Sequence, residues 1–120
     1  MSAPQPTNIK LRTQSRILTV EFDDGAVFEL PFEYLRVHSP SAEVKSHGPG
    51  EGTLQLGKQN IGISGLEPVG NYALRLMFDD GHDTGLYSWR FLYELGRDYR
   101  ANWSRYLERC AEAGQPRDPP

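Results

Sequence analysis

Phe78-Asp79-Asp80-Gly81-His82-Asp83-Thr84-Gly85-Leu86-Tyr87-Ser88-Trp89-Arg90-Phe91-Leu92 carries three local signals in one stretch. Asp80-Gly81 between apolar flanks predicts a hairpin turn of type I′, because glycine accepts the positive φ that such a turn demands. Thr84 to Tyr87 then reads as the returning strand. Ser88 offers its hydroxyl to the free N–H groups of a helix that begins at Trp89. The same plan occurs earlier, from Phe22 to Leu35: Phe22-Asp23-Asp24-Gly25, a short apolar run, Pro31 at a helix start, then Phe32 and Leu35. The later copy runs one residue longer. This near-repeat is the strongest internal evidence of architecture.

Working outward, Ile9, Leu11 and Thr13 alternate with polar residues, as a half-buried strand does. Ile17 to Phe22 predicts a second strand with Leu18, Val20 and Phe22 on one face, and Ala26 to Leu30 a third. Three strands joined by short turns make an antiparallel meander. Pro31 at the first helical position predicts a short helix through Phe32, Leu35 and Arg36. Ile61 and Ile63 open another strand, with Leu66 to Asn71 expected as a connector. Tyr72, Leu74, Leu76 and Phe78 alternate cleanly and give the clearest strand signal in the chain. After Ser88 the period becomes helical: Trp89, Leu92, Leu95, Tyr99, Trp103, Tyr106, Leu107 and Cys110 recur at steps of three and four. Gly96 interrupts and Asp98 can cap a fresh start, so two helices are expected to meet near residue 97, the second ending near Gly114. The whole predicts an α+β fold: a small antiparallel sheet of about five or six strands in hairpins and meanders, packed against C-terminal helices, with one short helix after the third strand. Residues 8–113 form the expected domain, between flexible tails at 1–7 and 114–120.

With 120 residues there is room for one core. The net charge is −3, with basic residues scattered, so no footprint for nucleic acid appears. No apolar run reaches the roughly 20 residues of a membrane helix. Met1 to Thr7 lacks the layout of a secretion signal, and Cys110 stands alone, which together favour a cytoplasmic location. A single thiol also excludes a cysteine-clustered zinc or iron–sulfur site within one chain.

The candidate chemistry is sparse. His82 sits beside a turn glycine, where it can serve as a metal ligand or proton carrier, or simply as a polar turn residue. His38 and His47 flank the loop from His38 to Gly52, rich in glycine and proline, and with His82 could form a three-histidine site for zinc or iron, although the spacing matches no metal motif. Gly48-Pro49-Gly50-Glu51-Gly52 lacks the Lys-Ser/Thr of a phosphate loop. A loop that orders against a partner is the better use of such a sequence. Asp23, Asp24, Asp79 and Asp80 make two acidic pairs, best explained by bonds to their own turn backbones. Aromatic residues and arginines interleave from Trp89 onward; Phe91 and Tyr93 lie off the apolar stripe, so the corner near Trp89 and Arg90 is either a protein-contact patch or strand-to-helix packing. Cys110 lies on the apolar stripe as a small buried hydrophobe.

Leu35-Arg36-Val37-His38-Ser39-Pro40-Ser41-Ala42-Glu43-Val44, then Gly48-Pro49-Gly50, then Asp80-Gly81-His82-Asp83-Thr84-Gly85-Leu86-Tyr87-Ser88-Trp89 resembles the gamma-butyrobetaine hydroxylase-like N-terminal domain, over nearly all of residues 8–113. Small bacterial stand-alone members of that family are catalogued as a domain of unknown function. The resemblance implies an α+β fold of antiparallel strands and helices. In the hydroxylase this domain precedes an iron- and 2-oxoglutarate-dependent catalytic domain and holds a structural zinc on a Cys-Pro-Cys-x-x-Cys pattern plus a histidine. Here the cysteine positions are Ser39, Ser41 and Val44, and only His82 is retained, so the resemblance implies a degenerate zinc site. Nothing in the chain resembles the catalytic domain with its two histidines and one carboxylate. Related domains are appended to P-loop ATPases that carry iron–sulfur clusters, which implies accessory or docking work.

The expectation is therefore a non-catalytic cytoplasmic accessory domain, without cofactor, monomeric or weakly homodimeric, binding an unknown protein partner. Arg36, His38, His47, His82, Trp89 and Arg90 mark the candidate binding surface. The alternative is metal binding or iron–sulfur assembly through His82 with His38 or His47. An enzyme acting on a small molecule has no motif in its favour.

Overall fold

The computed structural model describes residues 4–38, 60–81 and 85–112. Strands β1 (Pro6–Arg12), β2 (Ile17–Phe22) and β3 (Val27–Pro31) form an antiparallel meander, and helix α1 (Phe32–Val37) follows directly. Strands β4 (Ile63–Val69), β5 (Ala73–Phe78) and β6 (Leu86–Ser88) form a second meander in the same order, followed by α2 (Trp89–Arg97) and α3 (Tyr99–Glu112). The fold is α+β as expected, with its strands divided into two three-stranded sheets.

Alternation decides what each sheet buries. Leu18, Val20 and Phe22 of β2 and Leu74, Leu76 and Phe78 of β5 turn inward and share one core with Leu30, Phe32, Leu35, Tyr87, Leu92 and Leu95. Each such side chain removed from water stabilises the fold by roughly 1.5–3 kcal/mol before entropy is counted. Tyr34 and Tyr87 are fully buried, and each hydroxyl donates to a backbone carbonyl, Leu95 O and Leu35 O respectively, both at 2.6 Å. Neither phenol is therefore an unsatisfied polar group in the core.

The near-repeat is realised in backbone bonds. In both Phe-Asp-Asp-Gly turns the glycine N–H donates to the phenylalanine carbonyl, Gly25 to Phe22 at 3.0 Å and Gly81 to Phe78 at 3.2 Å. The two glycines have φ of +90° and +88°. The residue after each phenylalanine ties back ahead of the first strand, Asp23 N–H to Gln5 O and Asp79 N–H to Gly62 O, both 2.9 Å. Each helix opens with a bond to the residue ahead of the middle strand, Phe32 N–H to Arg16 O at 2.9 Å and Trp89 N–H to Tyr72 O at 3.1 Å. The chain is thus a βββα unit written twice, with α3 added.

Several local expectations change. Asp24 and Asp80 keep negative φ, so neither turn is type I′, which needs positive φ at both central residues. The first is a three-residue loop closed by Phe22 N–H on Ala26 O at 2.8 Å. In the second, β5 and β6 pair through residues 73–75 and 86–88, with Leu76 N–H also donating to Gly85 O at 3.4 Å, and residues 82–84 lie outside the described residues. Leu66 to Val69, expected as connector, belongs to β4, which tolerates Pro68 because it is a sheet edge. Pro31 is the last residue of β3 and caps α1, one position earlier than expected. Tyr72 lies in the Gly70–Tyr72 turn rather than in the strand. Pro6 and Thr7, expected in a tail, pair in β1, where the Thr7 hydroxyl donates to Glu21 O at 3.2 Å.

The C-terminal half follows its sequence closely. Ser88 caps α2, its hydroxyl accepting from Phe91 N–H at 3.0 Å. The helices part at Asp98, whose carboxylate grips the Arg97 guanidinium at 3.0 and 2.9 Å. Gly96 has a packing role that the sequence did not reveal: a Cβ there would run into the Phe28 ring of β3. Residues 113 onward, including the expected stop near Gly114, lie outside the described residues.

Candidate functional site

The two units meet through reciprocal contacts from helix to turn. From α1, Arg36 Nε donates to Asp80 Oδ2 in the second unit's turn at 2.9 Å. From α2, the Tyr93 hydroxyl donates to Asp24 Oδ2 in the first unit's turn at 2.7 Å. The equivalent positions carry unlike chemistry. Tyr93 and Asp24 lie at the surface, where the phenol and the Ala26 N–H hold the Asp24 carboxyl below its usual 3.8. Arg36 is 7% exposed, and its Nη1 is buried without a hydrogen-bond partner. Of the acidic residues read as ligands of their own turns, Asp24 accepts from the turn's Ala26 N–H at 2.9 Å, whereas Asp23 accepts from Gln5 N–H, ahead of β1, at 3.3 Å. Asp80 instead reaches the guanidinium. Arg36, expected on a binding surface, is an interior strut.

His38 ends α1, half-buried against α3. Its Nδ1 lies 3.0 Å from Tyr34 O, and since a carbonyl only accepts, Nδ1 carries the proton. In the neutral ring that leaves Nε2 with its lone pair. The imidazole packs on Tyr34 at 4.7 Å and faces Tyr106 at 6.5 Å between ring centres. Burial, with a smaller push from the Arg109 charge, moves its pKa below the ordinary 6.5. Tyr34 also accepts from Asn102 Nδ2 at 3.0 Å, and burial raises its phenol to about 12. Cys110 is buried with Val37 and Tyr106, as expected of a small hydrophobe.

The corner at Trp89 is built by both strand ends. Trp89 is half-buried, its Nε1 donating to Asn71 O at 2.9 Å while its backbone N–H holds Tyr72 O. Phe91 packs on Tyr87 at 5.9 Å, and Tyr93 meets Phe22 and Phe28 edge-on at 5.1 and 5.2 Å. The off-stripe aromatics are thus consumed by packing. Arg90 stays exposed, reaching Glu94 Oε2 at 3.3 Å. Tyr72 is 56% and Leu86 43% exposed. Neither residue was singled out from the sequence; Gly70-Asn71 just ahead of Tyr72 was the available signal, since both are turn residues that displace it from the strand.

Four of the six expected site residues lie among the described residues, and they fall in three places. Arg36 is interior, His38 lies under α3, and Trp89 and Arg90 sit at the corner. His47 and His82 lie outside the described residues, as do Ser39, Ser41 and Val44. Among the described residues no group of three histidine, cysteine or carboxylate side chains could hold a metal ion. No helix among the described residues is long and apolar enough to cross a membrane.

Comparisons with known proteins agree with this architecture. The family model described as gamma-butyrobetaine hydroxylase-like, N-terminal, matches residues 9–93. Two solution structures determined by NMR are each 48% identical, with TM-scores of 0.84 and 0.85. The matches cover 99% and 98% of this chain, and 94% and 88% of theirs. A crystal structure from Acidithiobacillus ferrooxidans, of a protein with unknown function in the DUF971 family, is 36% identical with a TM-score of 0.68, over 79% of this chain and 98% of its own. No curated protein matches.

Proposed function

Because the chain belongs to the gamma-butyrobetaine hydroxylase-like N-terminal domain family, we propose that it is a non-catalytic cytoplasmic accessory domain that works by binding another protein at the Trp89 corner. The observation that carries this reading is a fixed tryptophan beside an exposed tyrosine and an exposed arginine. Trp89 is pinned through Nε1 and its backbone N–H, while Tyr72, whose carbonyl holds that N–H, and the adjoining Arg90 face solvent, and Leu86 is exposed three residues ahead of it. Tyrosine, tryptophan and arginine dominate interface anchors because they offer large area at low entropic cost once held. The test is affinity capture from cells carrying the wild-type chain or the Tyr72→Ala/Arg90→Glu variant, with folding checked by NMR. A partner held by the wild type and lost from the folded variant supports the reading. Equal capture by both, or a partner in neither, refutes it.

A second reading, metal handling through His82 with His38 or His47, draws support only from the free Nε2 of His38. Elemental analysis of tag-free protein tests it, and a transition metal well below one per chain would end it.

A further inference from the structure

The repeated unit has a consequence for assembly. The contacts between units run both ways: Arg36 of the first reaches Asp80 of the second, and Tyr93 of the second reaches Asp24 of the first. The buried tyrosines also bond across the two units, Tyr34 to Leu95 O and Tyr87 to Leu35 O, from positions that are not equivalent in the two copies. Phe28 of β3 fills the space over Gly96 of α2, and Asn102 and Tyr99 of α3 cover Tyr34. Contacts made once in each direction are the mark of an interface between two like bodies related by a two-fold axis.

We propose that the chain is a fused pair of βββα halves, each the binding partner of the other, and that a second copy of this chain can supply either half. The number of residues between the halves permits exchange between copies. At roughly 3.3 Å per extended residue, the segment from Val37 to Ile63 can run well past the 42 Å length of the molecule. Tethering only raises the local concentration of the chain's own second half. Both halves contribute to one apolar core, through Leu35 of the first and Leu92 and Leu95 of the second, and the two helix-to-turn contacts fix the register. A foreign surface would have to match both Asp24 and Asp80, whereas a second copy matches them by identity.

The experiment uses the full chain with a protease site inserted between Gly50 and Glu51, folded first and then cleaved. The cleaved halves are expected to co-elute and to keep the NMR spectrum away from the cut. Tagged and untagged cleaved chains, mixed in mild denaturant and returned to buffer, are expected to exchange, so that the tag recovers untagged complementary half. The Asp24→Ala variant, still folded when uncleaved, is expected to let the cleaved halves separate at lower denaturant. Halves that unfold or part on cleavage, or a tag that recovers only its own complement after mixing, would overturn the proposal.

Discussion

Replacing Asp80 by alanine removes the carboxylate that accepts from Arg36 Nε, across the boundary between the two units, at 2.9 Å. Arg36 is 7% exposed and already has Nη1 buried without a partner, so the change leaves a cation in the interior with two orphaned donors. Breaking a fully buried pair from one side costs about 3–5 kcal/mol. The Asp80 side chain is 21% exposed, so water can reach the vacated position and bring the cost down to about 2–3 kcal/mol. At roughly 4 °C per kcal/mol for a domain of this size, the melting temperature should fall by about 8–12 °C. Chemical denaturation of Asp80→Ala, Arg36→Met and the double variant measures the coupling. Because two apolar replacements leave no stranded charge, the double variant should be more stable than Asp80→Ala alone. Asp24→Ala, at the equivalent but exposed turn, should shift stability less. An Asp80→Ala variant within about 0.5 kcal/mol of wild type, the range of ordinary surface changes, would refute this account of the pair.

Gly96→Ala forces a methyl against the Phe28 ring; overpacking typically costs about 1–3 kcal/mol, only partly offset by better helix propensity, and urea denaturation should show a net loss. Ser88→Ala removes the acceptor for Phe91 N–H and should cost about 1 kcal/mol by the same measurement. His38 is held below its ordinary 6.5, chiefly by burial, so the unfolded chain takes up its proton first as pH falls. Its contribution is therefore fully present above about pH 6.5 and is lost as pH drops through the lower folded value; thermal melts from pH 7.5 to 5 should fall more steeply for wild type than for His38→Asn.

Turn and cap chemistry was legible because it acts within a few residues. The Phe-Asp-Asp-Gly pairs gave the positive-φ glycines but not the turn type, Ser88 before Trp89 gave the helix cap, and the break near residue 97 gave the helix boundary; the doubled architecture followed from the first of them. Pro68 misled because a proline stops an interior strand but not an edge strand, and which strands are edges is decided by tertiary pairing. Gly96 looked like an interruption, whereas its reason is Phe28, far away in sequence. Asp80 looked like a turn ligand for the same reason: its guanidinium partner is brought by the other unit's helix. Aligning the two copies with their one-residue offset would have set Arg36 over Tyr93 and Asp80 over Asp24, the one sequence signal for the reciprocal contacts. The candidate site was less legible. Trp89 and Arg90 were marked, but the exposed companions Tyr72 and Leu86 depend on where a turn ends and which sheet face is covered.

The most direct measurement of whether the Trp89 corner is a working surface is in-cell photo-crosslinking from two exposed positions. A crosslinking residue replaces Tyr72 at the corner in one strain and Leu107 on α3 in the other, both well exposed. The account predicts one discrete partner adduct from position 72, lost when Arg90→Glu is added, and none from position 107. Adducts from position 107 alone, or an adduct from position 72 that survives Arg90→Glu unchanged, would contradict it.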